Sequence, residues 1–187
     1  MILPITVYGN PVLKKAATEI QKDYQGLQAL IANMYETMYY ARGVGLAAPQ
    51  VDVLIKLFIV DTAPFTDSED YADEKPLKQV FINAEILEYM GEDTVFNEGC
   101  LSVPDINENV IRKSIIRVRY QDENFEEHTD VFDGIAARVI QHEYDHTMGK
   151  TFIDRISGLK KTLLKGKLND ISSGRKCPFY KVKQHKN

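Results

Sequence analysis

An α+β fold, with antiparallel or mixed β-sheets packed around a central helix, is what this 187-residue chain predicts. Three observations carry that expectation. Strand-like runs of alternating or continuous apolar residues fill the middle of the chain, and helical periodicity brackets them on both sides. One of those helices bears the pentapeptide HEYDH at 142 to 146 on its apolar stripe, which makes it a core helix carrying a site.

At 44% hydrophobic residues the chain can bury a real core, and its length suits one domain over residues 1–187. No window approaches the roughly 20 apolar residues that cross a bilayer. The opening MILPITVYGNP has neither a basic n-region nor a small-residue cleavage site, so a cytoplasmic protein with no membrane partner is expected. In that setting Cys100 and Cys177 stay reduced, and a thiolate is available for metal or chemistry. The net charge of −4 hides an asymmetry. Residues 1–158 hold 14 Lys and Arg against 26 Asp and Glu, a net −12, whereas 159–187 hold 9 against Asp170 alone, a net +8. A basic C-terminal helix and tail, about 157–187, therefore hangs on an acidic body.

In chain order, Leu27, Leu30, Ile31, Met34, Tyr35 and Met38 recur at helical spacing and predict an amphipathic helix over 27–41. GVGLAAPQ at 43 to 50 reads as an irregular, closely packed segment, because glycines permit close backbone approach. IKLFIVD (55–61) and KQVFINAEI (78–86) read as strands. Between them the acidic segment 63–76 has two prolines and no period, the mark of a surface loop. EDTVFN (92–97), SIIRVRYQD (114–122) and FEEHTDVF (125–132) alternate as strands, the last two forming a hairpin through Glu123 and Asn124. The helix over 133–150 has Asp133 as candidate N-cap and Gly149 as stop, and a last helix over 157–171 precedes a candidate edge strand at 177–183.

On a helix, His142 and His146 lie one turn apart on one face, where both imidazoles reach a single metal ion, and Glu143 stands beside it as a base. A bland reading, a hydrogen-bonded histidine pair in a core, competes with this until a third ligand is found. The zinc-peptidase pattern HExxHxxGxxH is absent, since TMGKTF follows His146 and His185 lies in the polar tail. His128 sits in a polar strand and reads as exposed. Cys100, in EGCLSVP at a strand end, is the better third ligand, since one thiolate and two imidazoles leave the open fourth position of a catalytic site.

GVGLAAPQ at 43 to 50, EGCLSVP at 98 to 104 and QHEYDH at 141 to 146, in that order, with flanks from YGNPVL to TFIDRIS, resemble the bacterial peptide deformylases. The resemblance implies a peptide-deformylase-like fold and hydrolysis of the N-formyl group from formylmethionine at the start of nascent peptides. It implies that Cys100, His142 and His146 bind one divalent metal, physiologically Fe²⁺, with Zn²⁺, Ni²⁺ or Co²⁺ also compatible with the ligand set. Glu143 is then general base and acid, and Gln50 with the Leu101 backbone N–H faces the formyl oxygen. Gly45 pairs with the substrate main chain and Gly43, Glu98 and Gly99 border it, while Val44 and Val139 are candidates for lining the methionine pocket, with plain core packing as the alternative. The chain departs from the pattern at Asn107, where many relatives carry an arginine that helps hold the peptide, and in the acidic segment 63–76, which resembles an insertion. The basic tail is expected to be a solvated face or, more sharply, a ribosome-docking element acting through phosphate contacts; no DNA partner is expected. A zinc aminopeptidase or endopeptidase on the same helix and a non-enzymatic metal binder are the rival readings, disfavoured by Cys100 and by the intact Gln50 and Glu143.

Overall fold

In a computed structural model, which describes residues 1–66, 71 and 73–184, five strands form one antiparallel sheet in the order β2-β3-β4-β5-β6. The strands are β2 (Gly45–Ala47), β3 (Leu57–Asp61), β4 (Lys78–Cys100), β5 (Val103–Gln121) and β6 (Glu127–Asp133). A separate parallel pair joins β1 (Ile5–Thr6) to β7 (Val182–Lys183), tying the two ends of the chain together. The helices are α1 (Leu27–Tyr40), the single-turn α2 (Ala63–Thr66), α3 (Gly134–Thr147) and α4 (Gly158–Ser172).

The helices packed on this sheet bury the stripes that their sequences display. Leu27, Ile31, Met34 and Met38 of α1 pack with Leu46, Leu57 and Ile59 of β2 and β3. Ile135, Ala137, Val139 and Ile140 of α3 pack with Phe58, Phe81 and Ile116, where the stacked Phe58 and Phe81 rings lie 4.7 Å apart. Leu164, Leu168 and Ile171 of α4 join Val103, Val110 and Phe152 in a third cluster, against which Cys100 is packed. Helix α3 is buried on nearly every side, and that is what makes it central.

Three expectations about the five-stranded sheet change. The strands read at 78–86 and 92–97 are parts of one strand, β4, whose register shifts between Ile82/Glu85, Ile86/Glu88, Met90/Asp93 and Glu98/Cys100 let pairing with β5 continue while the ribbon bends. Strand β5 starts at Val103 rather than near Ser114, so Leu101 and Ser102 are the turn of a tight hairpin with Cys100 opposite Val103. The GVGLAAPQ segment is not wholly irregular: Gly45, Leu46 and Ala47 pair with Val60, Ile59 and Phe58, and 48–51 form one 3₁₀ turn.

The 177–183 strand is confined to Val182 and Lys183. Asp133 stands at the N-cap of α3 without a side-chain cap bond, and the Ile135 N–H instead donates to Glu74 of the acidic segment at 2.7 Å. Residues 67–70 and 72 of that segment, and His185, lie outside the described residues.

Candidate active site

Three elements converge on one point. The end of β4 brings Cys100, α3 brings His142, Glu143 and His146, and the 3₁₀ turn after β2 brings Gln50. The ligand atoms of Cys100, His142 and His146 all lie within 4.8 Å of one another, with Cys100 Sγ 3.2 Å from His146 Nε2. His142 Nδ1 donates to Glu98 Oε2 at 2.9 Å, which orients the ring and leaves Nε2 as its available donor atom. His146 is almost wholly buried, and burial holds its imidazole well below the ordinary range, in the neutral form that coordinates metals.

Buried polar atoms ordinarily have partners. Glu143 Oε2 has none among the described protein groups, as a carboxylate that meets a water in a completed site requires, and His146 turns its Nε2, not its unpartnered Nδ1, toward Cys100. One soft sulfur and two imidazoles suit a borderline divalent transition metal. The residues therefore fit the implied metal.

Glu143 packs against the backbone of β2 so closely that a Cβ on Gly45 would come 2.5 Å from its Oε1. Glycine is required at 45 for that reason, not for its dihedral freedom. Burial pushes the Glu143 carboxyl up to about 7, into the range useful for exchanging protons near neutral pH. Gln50 is 1% exposed and held at both ends of its amide. Its Oε1 accepts from the Ala47 N–H at 2.8 Å, while Nε2 donates to Ser102 Oγ at 3.1 Å and lies 3.6 Å from Cys100 Sγ.

A cavity of about 700 Å³ opens over this group. Gly43, Val44, Gly45, Gly99, Leu101 and Val139 border it, as does Asn107, whose amide lies against Gly99. Glu98 also borders it, with its carboxylate turned to basic partners. The Glu98 carboxylate accepts from Arg112 Nε at 2.6 Å, Arg112 Nη2 at 3.0 Å and Arg138 Nη1 at 3.0 Å, besides His142. With every lone pair engaged and the side chain 3% exposed, it is an orienting group behind His142. Burial works against its charge, yet the hydrogen bonds from His142 and Arg112 hold the carboxyl well below the usual carboxylate range.

Arg112, Arg138 and Asp145 are the functional residues that sequence reasoning missed. Arg112 Nη1 donates to Asp145 Oδ2 at 2.8 Å, so this guanidinium links β5 to α3. Arg138 Nη2 donates to Thr94 O at 2.7 Å and ties α3 to β4. A signal was present: Arg138 lies four residues before His142 and Asp145 three after, on a helix otherwise read as buried. His128 stays apart from the cluster; it stacks on Tyr120 and bonds Asp122 at 3.1 Å. Asp122, Glu126 and His128 form a second close donor group, at the β5–β6 hairpin, where Asp122 Oδ1 already accepts two backbone N–H groups.

The family model for polypeptide deformylase matches residues 2–162. The peptide deformylase of Christiangramia forsetii is 53% identical over 188 residues, covering 98% of this chain and 96% of its own. That of Flavobacterium johnsoniae is 54% identical with the same coverage. Among solved structures, a peptide deformylase from Legionella pneumophila superposes with a TM-score of 0.80 at 34% identity, covering 95% of this chain and all of that one. The enzyme from Thermotoga maritima superposes at 0.73 with 41% identity over 84% of this chain and 99% of that one. Matched by the family's model over most of its length, and more than half identical to relatives across nearly all of it, this chain belongs to the polypeptide deformylase family.

Proposed function

We propose that the chain hydrolyses the N-formyl group from the formylmethionine at the start of newly made peptides, releasing formate and a free amine. The observation that carries this reading is the meeting of Cys100, His142 and His146 beside a buried, unpartnered Glu143 oxygen at the edge of a peptide-sized cleft. Cys100, His142 and His146 hold one divalent ion, which when bound supplies Lewis acidity and lowers the pKa of water toward neutrality. Fe²⁺ is the physiological ion of this reading, and Zn²⁺, Ni²⁺ or Co²⁺ can replace it in the same donor set.

Glu143 accepts the proton of the attacking water at its Oε2 and delivers it to the leaving nitrogen, because an amide nitrogen departs poorly as an anion. Negative charge grows on the formyl oxygen as its carbon becomes tetrahedral. Gln50 Nε2 and the Leu101 N–H donate to that oxygen; each such preorganised donor contributes roughly 2.7–4 kcal/mol in comparable sites. The Ala47 N–H bond to Gln50 Oε1 supports this, since it fixes which end of the amide turns toward Cys100.

The peptide main chain pairs with the 43–45 segment, whose outer side carries no strand among the described residues. The methionine side chain lies between Val44 and Val139, with Gly43 and Gly99 allowing close backbone approach. Incubation with formyl-Met-Ala-Ser tests the whole reading: formate must appear, and free amino acids without formate would point to a peptidase instead.

Nascent chains place the enzyme in the cytoplasm, and among the described residues no helix is long and apolar enough to cross a membrane. The single domain carries its basic C-terminal helix and tail as a ribosome-docking element that reads phosphates electrostatically. Pelleting with ribosomes at low and raised salt tests this, and unchanged binding after deletion of 159–187 sinks it.

A further inference from the structure

The cleft extends beyond the metal donors onto a wall built from the far end of the chain. Residues 177–180, which follow α4, line the same cavity as Cys100 and Glu143. The segment is pinned. Tyr180, 8% exposed, donates its hydroxyl to the Leu101 carbonyl oxygen at 2.7 Å, and two residues later Val182 pairs with Ile5. Phe179, one residue before Tyr180 and also lining the cavity, is 62% exposed. An apolar ring held in position yet open to solvent has the form of a contact surface.

Arg42 meets that ring from the other end of the sequence. Its guanidinium carbon lies 5.3 Å from the Phe179 ring centroid, and it too lines the cavity. Among the described residues no carboxylate lies within salt-bridge range of Arg42, unlike Arg112, Arg138 or Arg155. Its backbone is in the left-handed region at φ 60, directly after the C-cap Ala41 of α1, a position that favours glycine. A long cationic side chain thus stands where the backbone disfavours it, as happens at ligand-contacting positions. Asn107, across the cleft mouth against Gly99, brings an amide and no charge.

Spacing gives the ligand. Gly45 lies against Glu143, and Arg42 is three residues before it along the segment on which the substrate pairs. An extended peptide advances about 3.3 Å per residue. With formylmethionine beside Gly45 and Glu143 and the peptide running antiparallel to the 43–45 segment, its third residue, about 6.6 Å further on, comes opposite Gly43, within reach of the long side chain of the adjacent Arg42 and of the Phe179 ring beside it. Resting on the deformylase reading, we propose that Arg42 and Phe179 form a subsite for the third residue of the formylated peptide that selects an acidic side chain there.

The test uses the metal-loaded full chain and two C-terminally amidated substrates, formyl-Met-Ala-Glu and formyl-Met-Ala-Lys. The ratio of their kcat/KM values should favour Glu by about fivefold at low salt, as exposed charge pairs allow, and fall toward one at about 1 M salt. Arg42→Glu should invert the ratio and Arg42→Lys should keep part of it. Phe179→Ala should raise KM for both tripeptides with little change in kcat. A wild-type ratio near one, a ratio insensitive to salt, or an Arg42→Glu protein with the wild-type ratio overturns the subsite alone, because formate is still released. If Arg42→Glu fails to fold, the wild-type salt dependence and Arg42→Lys decide. No formate from either peptide with wild-type protein overturns the deformylase reading and the subsite with it.

Discussion

Replacing Glu98 with glutamine removes one charge and leaves the shape, so its effect isolates the electrostatics behind His142. Glu98 and Asp145 are the two buried anions that face the guanidinium groups of Arg112, Arg138 and Arg155. The two arginines on Glu98 have side chains 3% and 7% exposed, so water cannot take over the lost partner. Breaking a buried ion pair on one side costs about 3–5 kcal/mol, because the remaining charge is stranded. Arg112 keeps Asp145 and Arg138 keeps Thr94 O, which places the loss toward the lower figure. For a chain of this size the fall in Tm is on the order of 6–20 °C.

Glu98→Gln also weakens the hydrogen bond that orients His142, and second partners of metal ligands typically contribute 10–100-fold in metal affinity. Urea unfolding of metal-free protein measures the first effect, and competitive metal titration of folded protein the second. A double mutant that adds Arg138→Met should recover part of the stability, since it removes a stranded charge. A loss of less than about 1 kcal/mol in metal-free Glu98→Gln, or metal binding as tight as in wild type, would refute this role for Glu98.

Glu143→Ala should keep one metal per chain and lose about 10²–10⁴-fold in kcat; metal analysis beside a formate assay checks both, and near-normal kcat would refute the assignment. Gly45→Ala should also cut kcat about 10²-fold while the fold is retained, because the new Cβ would stand 2.5 Å from the confined Glu143 Oε1; circular dichroism with kinetics decides. Asp154→Ala should destabilise by roughly 0.5–1 kcal/mol at pH 7. Burial opposes the Asp154 charge, but Lys14 and the Thr151 N–H hold its pKa below the ordinary value, so its contribution is present above about pH 4 and lost as pH falls through the lower folded pKa. Denaturation of both proteins at pH 7 and pH 3 should show the gap narrowing, and a gap that widens at pH 3 contradicts the sign.

Helix α3 was legible because its information is local. Ile135, Val139, His142 and His146 share a stripe at steps of four, three and four, and the same arithmetic makes them buried and brings the two imidazoles together. Strands β3 and β6 were legible for a similar reason, in that a short apolar run or alternation is read over a few residues. Strand β4 was not, because its four register shifts break the alternation while the ladder to β5 persists. The start of β5 was missed because VPDINEN carries proline, aspartate and asparagine that read as a loop, and pairing with β4 overrides that preference.

By itself, the sequence determined which residues were candidates for donors and base: a Cys in its EGCLSVP context, and a His-Glu pair with a second His one helical turn on, read from residue type and helical period. Tertiary structure alone decided what surrounds them. Glu98 reaches His142 across 44 residues, Arg112 bridges β5 to α3, and Tyr180 and Phe179 fold back to the cleft from beyond α4. No local periodicity encodes those contacts. They arise because burying a charge or a ring against a distant strand is favourable only once the sheet and the helix have been packed together.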